Sequence, residues 1–284
     1  MQCEVSILSI ADWNRKDGVM KDDLFEKIAT EICEHSAVVR RVHLYRDGEP
    51  LLDKRLPGRI ARLKRGGIRE VGISTNGELL SPLKAGQLFA AGLDELILSI
   101  DSMERNTYEK LRVGLDYETV IANAKECFFI RNNVNSKCRI RVRMIRQEAN
   151  REEWDSGRFA DVWRSRLSDG DTVEAKDIHN WGSQLEGFKP VGKADVELPC
   201  VALWSLCVIF ADGTVPLCNV DFNGKHKLGN VKDSSISEIW RSAEQNRRRE
   251  AHFGGRRGVA APICKGCTVW AEGGKHVIQP AMGH

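Results

Sequence analysis

From residue 22 onward the apolar positions change rhythm from element to element. Over 22–36 they recur at helical spacing, with Leu24, Ile28 and Ile32 on one stripe. Residues 39–45 are instead β-branched and aromatic and run into the polar turn Arg46-Asp47-Gly48-Glu49-Pro50. The alternation then continues. A helix is predicted over 55–65, a strand over 68–74, a helix opened by Ser81-Pro82, and a strand over 95–100. Helices near 104–112 and 117–132 lead to a strand at 138–145, a helix at about 151–167 and a last strand at about 172–178. Ser at the cap with Pro at the first helical position is a strong start signal. Strands alternating with helices predict an α/β fold built on a parallel sheet or TIM-like barrel, with functional residues at the C-terminal strand ends.

Those ends are polar. They carry Asp47-Gly48-Glu49-Pro50, Ser74-Thr75-Asn76-Gly77 and Ser99-Ile100-Asp101-Ser102. In the strand at 138–145, Arg139, Arg141 and Arg143 alternate with Ile140, Val142 and Met144, so the arginines should face the lumen while the apolar set packs on helices. Arginine in such a place needs an anionic partner, which substrate, a cofactor carboxylate or Asp/Glu could each supply. Taken singly, each turn reads equally well as an ordinary βα loop, because Gly and Asn are common turn residues.

Periodicity fades over 182–198, where Gly182, Gly187, Pro190 and Gly192 fall, and this predicts a domain boundary dividing 1–182 from 183–284. Beyond it, Asp212-Gly213 between 206–210 and 214–217 predicts a hairpin that places Cys218 at a strand end. Cys200, Cys218 and the pair Cys264-Lys265-Gly266-Cys267 gather four thiols in a short span. An iron–sulfur cluster, a structural zinc site and unligated thiols are the readings open to them. Ser235-Ile236-Ser237-Glu238 is a capping box that should start a helix running toward Arg249. Arg247–Arg249 with Arg256-Arg257 reads as a solvated basic face.

Composition narrows the field. Across 284 residues, 43 Lys and Arg against 40 Asp and Glu leave a net charge of +3, which gives no reason to expect nucleic-acid or membrane partners. The longest apolar runs are strand-sized and no secretion signal is seen, so a cytoplasmic location is expected. Nine cysteines then suggest reduced thiols and metal binding over disulfides.

The ordered set of motifs resembles the radical S-adenosylmethionine (SAM) superfamily with a C-terminal SPASM or twitch auxiliary iron–sulfur domain. Asp47-Gly48-Glu49-Pro50 is similar to the Gly-Gly-Glu-Pro motif that holds the SAM amino group, with Asp47 for the first glycine. Ser74 to Gly77, with Ser74 and Asn76, matches the Thr-Asn-Gly strand end, and Ser99 with Asp101 matches the Ser-x-Asp strand near the SAM ribose and methionyl part. Cys200, Trp204, Gly213, Cys218, Gly229-Asn230, Ile239-Trp240, Cys264 and Cys267 match the auxiliary module, and no cysteine follows Cys267. That four-cysteine set is similar to the shorter twitch form found in an aminocyclitol dehydrogenase. It implies one auxiliary [4Fe-4S] cluster, and leaves Cys207 as a buried strand thiol and Cys33, Cys127 and Cys138 as core residues.

The resemblance implies a partial (β/α)6 barrel followed by a small hairpin-plus-helix iron–sulfur domain. The hallmark CxxxCxxC, whose thiolates hold the SAM-binding [4Fe-4S] cluster, is not in this sequence. Cys3 stands where its third ligand belongs, which leads to the expectation that a first strand and two cysteines lie upstream. The implied activity is an iron–sulfur oxidoreductase: a 5′-deoxyadenosyl radical abstracts hydrogen from a small polar substrate such as a sugar or cyclitol. Arg141, Arg143 or a lumenal carboxylate would stand near the substrate hydroxyl, and flavodoxin or ferredoxin would donate electrons. The alternatives are a radical SAM peptide maturase and a degenerate, non-catalytic iron–sulfur or zinc protein.

Overall fold

The computed structural model describes residues 18–177, 181, 182, 184 and 199–267, and the backbone of 276–278. Helix α1 is Asp22–Glu34, and its paired first-turn acids Asp22 and Asp23 suit the positive end of the helix dipole. Then follow β1 (Arg41–His43), α2 (Leu56–Arg65), β2 (Glu70–Thr75), α3 (Pro82–Ala90), β3 (Glu95–Ser99), α4 (Arg105–Leu111), α5 (Tyr117–Asn133) and β4 (Arg139–Arg146). Helices α6 (Arg151–Asp155) and α7 (Arg158–Arg164) precede β5 (Thr172–Asp177). The continuous helix expected over 151–167 is split, because Gly157 between its halves adopts φ +82°. Caps fix the other starts: the Ser81 hydroxyl accepts from Lys84 N with Pro82 next in line, and Asp116 accepts from Thr119 N at 2.8 Å.

Strands β1 to β5 pair in parallel in chain order, the parallel sheet that the alternation predicts and the partial barrel that the resemblance implies. The register sorts side chains to two faces. Val71, Ile73, Leu96, Leu98, Ile140, Val142, Met144, Val173 and Ala175 all lie buried on the helix side. On the other face Glu95 pairs in register with Arg139, Ser99 with Arg143, and Arg143 with Glu174. The Arg131 guanidinium bridges Asp171 through Nη1 at 2.9 Å and Nη2 at 2.7 Å, and Asp171 also accepts from the amides of Ile140 and Ser168. This buried fork fastens α5 to the start of β4 and the approach to β5.

The chain divides into two compact units: 1–7, 32–177 and 275–284, and 8–31 with 178–274. In the first, the backbone of β8 (His276–Ile278) adds antiparallel to β5. The second holds α8 (Ala202–Ser205), the antiparallel pair β6 (Thr214–Val215) and β7 (Gly229–Asn230), α9 (Ile236–Trp240), α10 (Ala243–Phe253) and α11 (Arg257–Ala260). The capping box is present, and the Glu31 carboxylate adds to it by accepting from the amides of Ile236 and Ser237, each at 2.8 Å.

Three expectations in this unit change. The turn at Asp212-Gly213 forms, with Phe210 N donating to Thr214 O at 2.8 Å, but residues 206–210 are not a strand; β6 pairs with β7. Cys207 is therefore exposed. The helix started by Ser235 stops at Trp240, because Ser242 caps a new one by accepting from Gln245 N at 3.2 Å. No helix among the described residues is long and apolar enough to cross a membrane.

Candidate cofactor and cluster sites

In the first unit the turn after β1 is held by its own carboxylate. Glu49 is 6 % exposed and accepts from the Leu51 amide at 2.9 Å, the Thr75 hydroxyl at 2.7 Å and the Asn76 amide at 2.9 Å. Burial raises its pKa, and these three donors oppose the rise. Asp47 pairs with neighbouring Arg46, Pro50 opens a short 3-10 turn, and the space over the Gly48 Cα is open. Asn76 is buried, its Oδ1 accepting from Glu78 N at 3.0 Å.

The hydroxyls of Ser74 and Ser99 meet at 3.1 Å across β2 and β3. Asp101 is buried between the Arg112 guanidinium at 2.6 Å and the Ile145 amide at 2.8 Å, a structural engagement that its strand-end position did not reveal. Arg141 bridges Glu95 at 2.7 Å and Glu174 at 3.3 Å, and Arg143 reaches Glu174 at 2.5 Å. The anionic partners for Arg141 and Arg143 thus include strand carboxylates. Burial pushes the Glu174 pKa up, but the Arg143 charge and hydrogen bond, with Arg141, bring it below the ordinary carboxylate value. Glu95 and Glu174 were missed as site residues; their signal is a carboxylate on the arginine-facing side of an otherwise apolar strand.

In the second unit Cys264 and Cys267 are buried, and Cys200 and Cys218 are half-buried. Leu203, Leu217, Ala261, Ile263 and Cys264 form a small apolar cluster with Cys218 packed on it. Cys218 and Cys264 each lie within electrostatic reach of the other cysteines of the set, so the fold brings all four together. Yet among the described residues no three His, Cys, Asp or Glu side chains converge closely enough to hold one metal ion.

Burial, with repulsion from the neighbouring sulfurs, pushes Cys264 up to about 12. Burial likewise pushes Cys218 up to about 11, against hydrogen bonds from the amides of Val220 and Asp221. Binding a cationic metal core would release the protons of the Cys218 and Cys264 thiols. The Cys200 amide donates to Nδ1 of His252 at 3.2 Å. His252 is buried, and burial together with the Arg257 charge lowers its pKa to about 4.

The basic run is a solvated face only in part: Arg247 and Arg256 are exposed, whereas Arg248 and Arg257 are buried and Arg249 stacks on Trp240 at 4.5 Å. Spacing alone could not show this, because buried and solvated arginines follow one another in the run.

The radical SAM superfamily model matches residues 5–131, and the SPASM model, an iron–sulfur cluster-binding domain, matches 200–268. This chain is a radical SAM protein with a C-terminal SPASM domain. Those domains bring SAM and [4Fe-4S] clusters as cofactors. Among curated relatives, a probable GTP 3′,8-cyclase of Sulfolobus acidocaldarius is 49 % identical over 91 residues, 32 % of this chain and 28 % of its own length. A probable GTP 3′,8-cyclase of Methanococcus maripaludis is 35 % identical over 108 residues, 38 % of this chain and 35 % of its own length. The matched stretches thus span about a third of these relatives or less.

Among solved structures, BtrN in complex with AdoMet and 2-DOIA aligns with TM-score 0.58 at 20 % identity, covering 89 % of this chain and 82 % of BtrN. Native anSMEcpe with bound AdoMet aligns with TM-score 0.55 at 15 % identity, over 87 % and 78 %. These likenesses establish the fold. The four SPASM cysteines fit an iron–sulfur cluster in donor chemistry and grouping. The SAM-binding cluster is different: ahead of Cys33 the sequence holds one thiol, Cys3, outside the described residues, so the described residues do not supply its ligands.

Proposed function

We propose that this chain belongs to a radical SAM oxidoreductase that dehydrogenates a small polar substrate, with sugar or cyclitol alcohols as its class. Radical SAM enzymes act on small molecules or peptides and take electrons from a reductant partner, here one of the flavodoxin or ferredoxin kind. The observation that carries the reading is the polar sheet face on which Glu95, Arg141, Glu174 and Arg143 form an alternating chain of charges. Such a face offers planar donors and fixed acceptors with its charges matched, which suits hydroxyl-rich substrates. An apolar substrate would leave those groups unsatisfied.

When bound, SAM and its cluster supply the 5′-deoxyadenosyl radical that abstracts hydrogen. This chain's residues position and enclose. Glu49 holds the turn after β1 against the end of β2, so contact with the SAM amino group falls to the backbone of Asp47 and Gly48. Ser74, Asn76, Ser99 and Asp101 shape the strand ends that receive the nucleoside and methionyl parts. Glu174, paired with Arg143 and Arg141, fixes the two guanidinium groups on the lumenal face, where Arg141 or Arg143 would stand near a substrate hydroxyl. Cys200, Cys218, Cys264 and Cys267 hold the auxiliary cluster.

The test uses protein made from the whole natural gene, reduced anaerobically with SAM and alcohols deuterated at the carbinol carbon. Label in 5′-deoxyadenosine together with a ketone product supports the reading. Label drawn only from a peptide, or turnover of GTP alone, would replace the dehydrogenase assignment within the same superfamily. Absence of SAM cleavage favours a non-catalytic binding protein.

A further inference from the structure

We propose that His252 is a positioning residue for the auxiliary iron–sulfur centre, holding the main chain of Cys200 where its thiolate can serve as a ligand. The inference rests on the reading of Cys200, Cys218, Cys264 and Cys267 as the ligands. The amides of the CxxC pair are held locally: Cys264 N donates to Ala261 O at 2.9 Å, and Cys267 N to Cys264 O at 3.4 Å. Cys200 is held from a distance. Its N–H donates to Nδ1 of His252 at 3.2 Å, a side chain 52 residues further along the chain.

One face of α10 carries the clasp. Gln245, Arg249 and His252 follow one another at helical spacing, and Gln245 Nε2 and Arg249 Nε both donate to Leu203 O, at 3.3 and 3.0 Å. Leu203 N in turn donates to Cys200 O at 3.2 Å. Both polar groups of the Cys200 main chain are therefore engaged, the carbonyl by the turn into α8 and the amide by His252. With the backbone fixed at both groups, the direction in which the thiol leaves it is fixed too.

The tautomer follows from the geometry. Nδ1 accepts a backbone N–H, so the proton of the neutral ring sits on Nε2. That N–H is buried, in a residue 1 % exposed, and has no hydrogen-bond partner among the described residues. An orphaned buried donor costs more than one neutral hydrogen bond returns, so an imidazole is a poor choice here for folding alone. An apolar side chain of similar size would leave no such donor. What the histidine adds is the acceptor on the Cys200 amide, and residues that orient metal ligands in this way govern how firmly the metal is held.

The experiment separates the two ring nitrogens in the full chain, reconstituted anaerobically, with iron and sulfide counted and the lifetime of the cluster in EDTA followed by its visible absorbance. H252N keeps an acceptor at the place of Nδ1 and should hold the cluster nearly as long as the wild type. H252Q puts its amide at the place of Nε2 and H252L has no polar group, so each should shorten the lifetime about tenfold or more. Urea midpoints of the iron-free H252Q and H252L proteins should stay at the wild-type value, an outcome that a packing role would not give. Wild-type lifetimes in H252Q and H252L overturn the proposal, as does a loss in H252N equal to theirs. If one of H252Q and H252L does not fold, the other decides; lowered midpoints or failure to fold in both assign His252 to packing and overturn it. Zinc, or no iron, in the wild-type chain sinks the four-cysteine reading itself, which the metal count reports before any lifetime is measured.

Discussion

The Glu49 carboxylate accepts the backbone N–H of Asn76 at 2.9 Å, tying the turn after β1 to the end of β2. The same carboxylate takes the Leu51 amide and the Thr75 hydroxyl, so Glu49→Ala strands three donors in a buried place. The expected loss is about 3 kcal/mol, and Glu49→Gln, which keeps one acceptor oxygen, should lose less. Urea denaturation measures both. An alanine variant as stable as the wild type would show that the turn is held by other means.

Asp171 carries a larger share of the first unit's stability. It is fully buried, receives both arms of Arg131, and accepts from Ile140 N and Ser168 N. Asp171→Ala leaves the Arg131 charge without its main partner, at a cost of about 3–5 kcal/mol. The change should appear as a lower denaturant midpoint with normal iron content in the second unit.

Much of this was legible in the sequence. The alternation of elements predicted five parallel strands because buried β-branched runs and amphipathic helices differ in period, and Ser81-Pro82 and Ser235 with Glu238 marked their helices because capping chemistry is local. The failures concern partners distant in sequence. Nothing near Arg141 announced that Glu95 and Glu174 would meet it from two other strands, or that Asp101 would turn to Arg112. Residues 206–210 resembled a strand, yet β6 found β7, because strand pairing depends on what the rest of the fold offers. Arg257 looked solvated because its burial depends on how the chain returns to Cys264.

Acid should act through Glu174. Its folded-state pKa lies below the unfolded value, so its contribution to stability is present above the ordinary carboxylate value of 4.5 and is lost as pH falls through the folded value. Glu174→Gln should lower stability at neutral pH, by leaving Arg143 and Arg141 undercompensated, and should flatten the acid limb of the stability–pH profile. An acid limb identical to that of the wild type would mean that other carboxylates set it.

The central claim is that Cys200, Cys218, Cys264 and Cys267 hold one iron–sulfur cluster, and metal analysis after anaerobic reconstitution addresses it most directly. About four irons and as many sulfides per chain should bind at this site, should be lost in Cys264→Ala, and should be kept in Cys207→Ala, whose thiol is exposed. One zinc per chain without sulfide, or iron that survives Cys264→Ala, would contradict it.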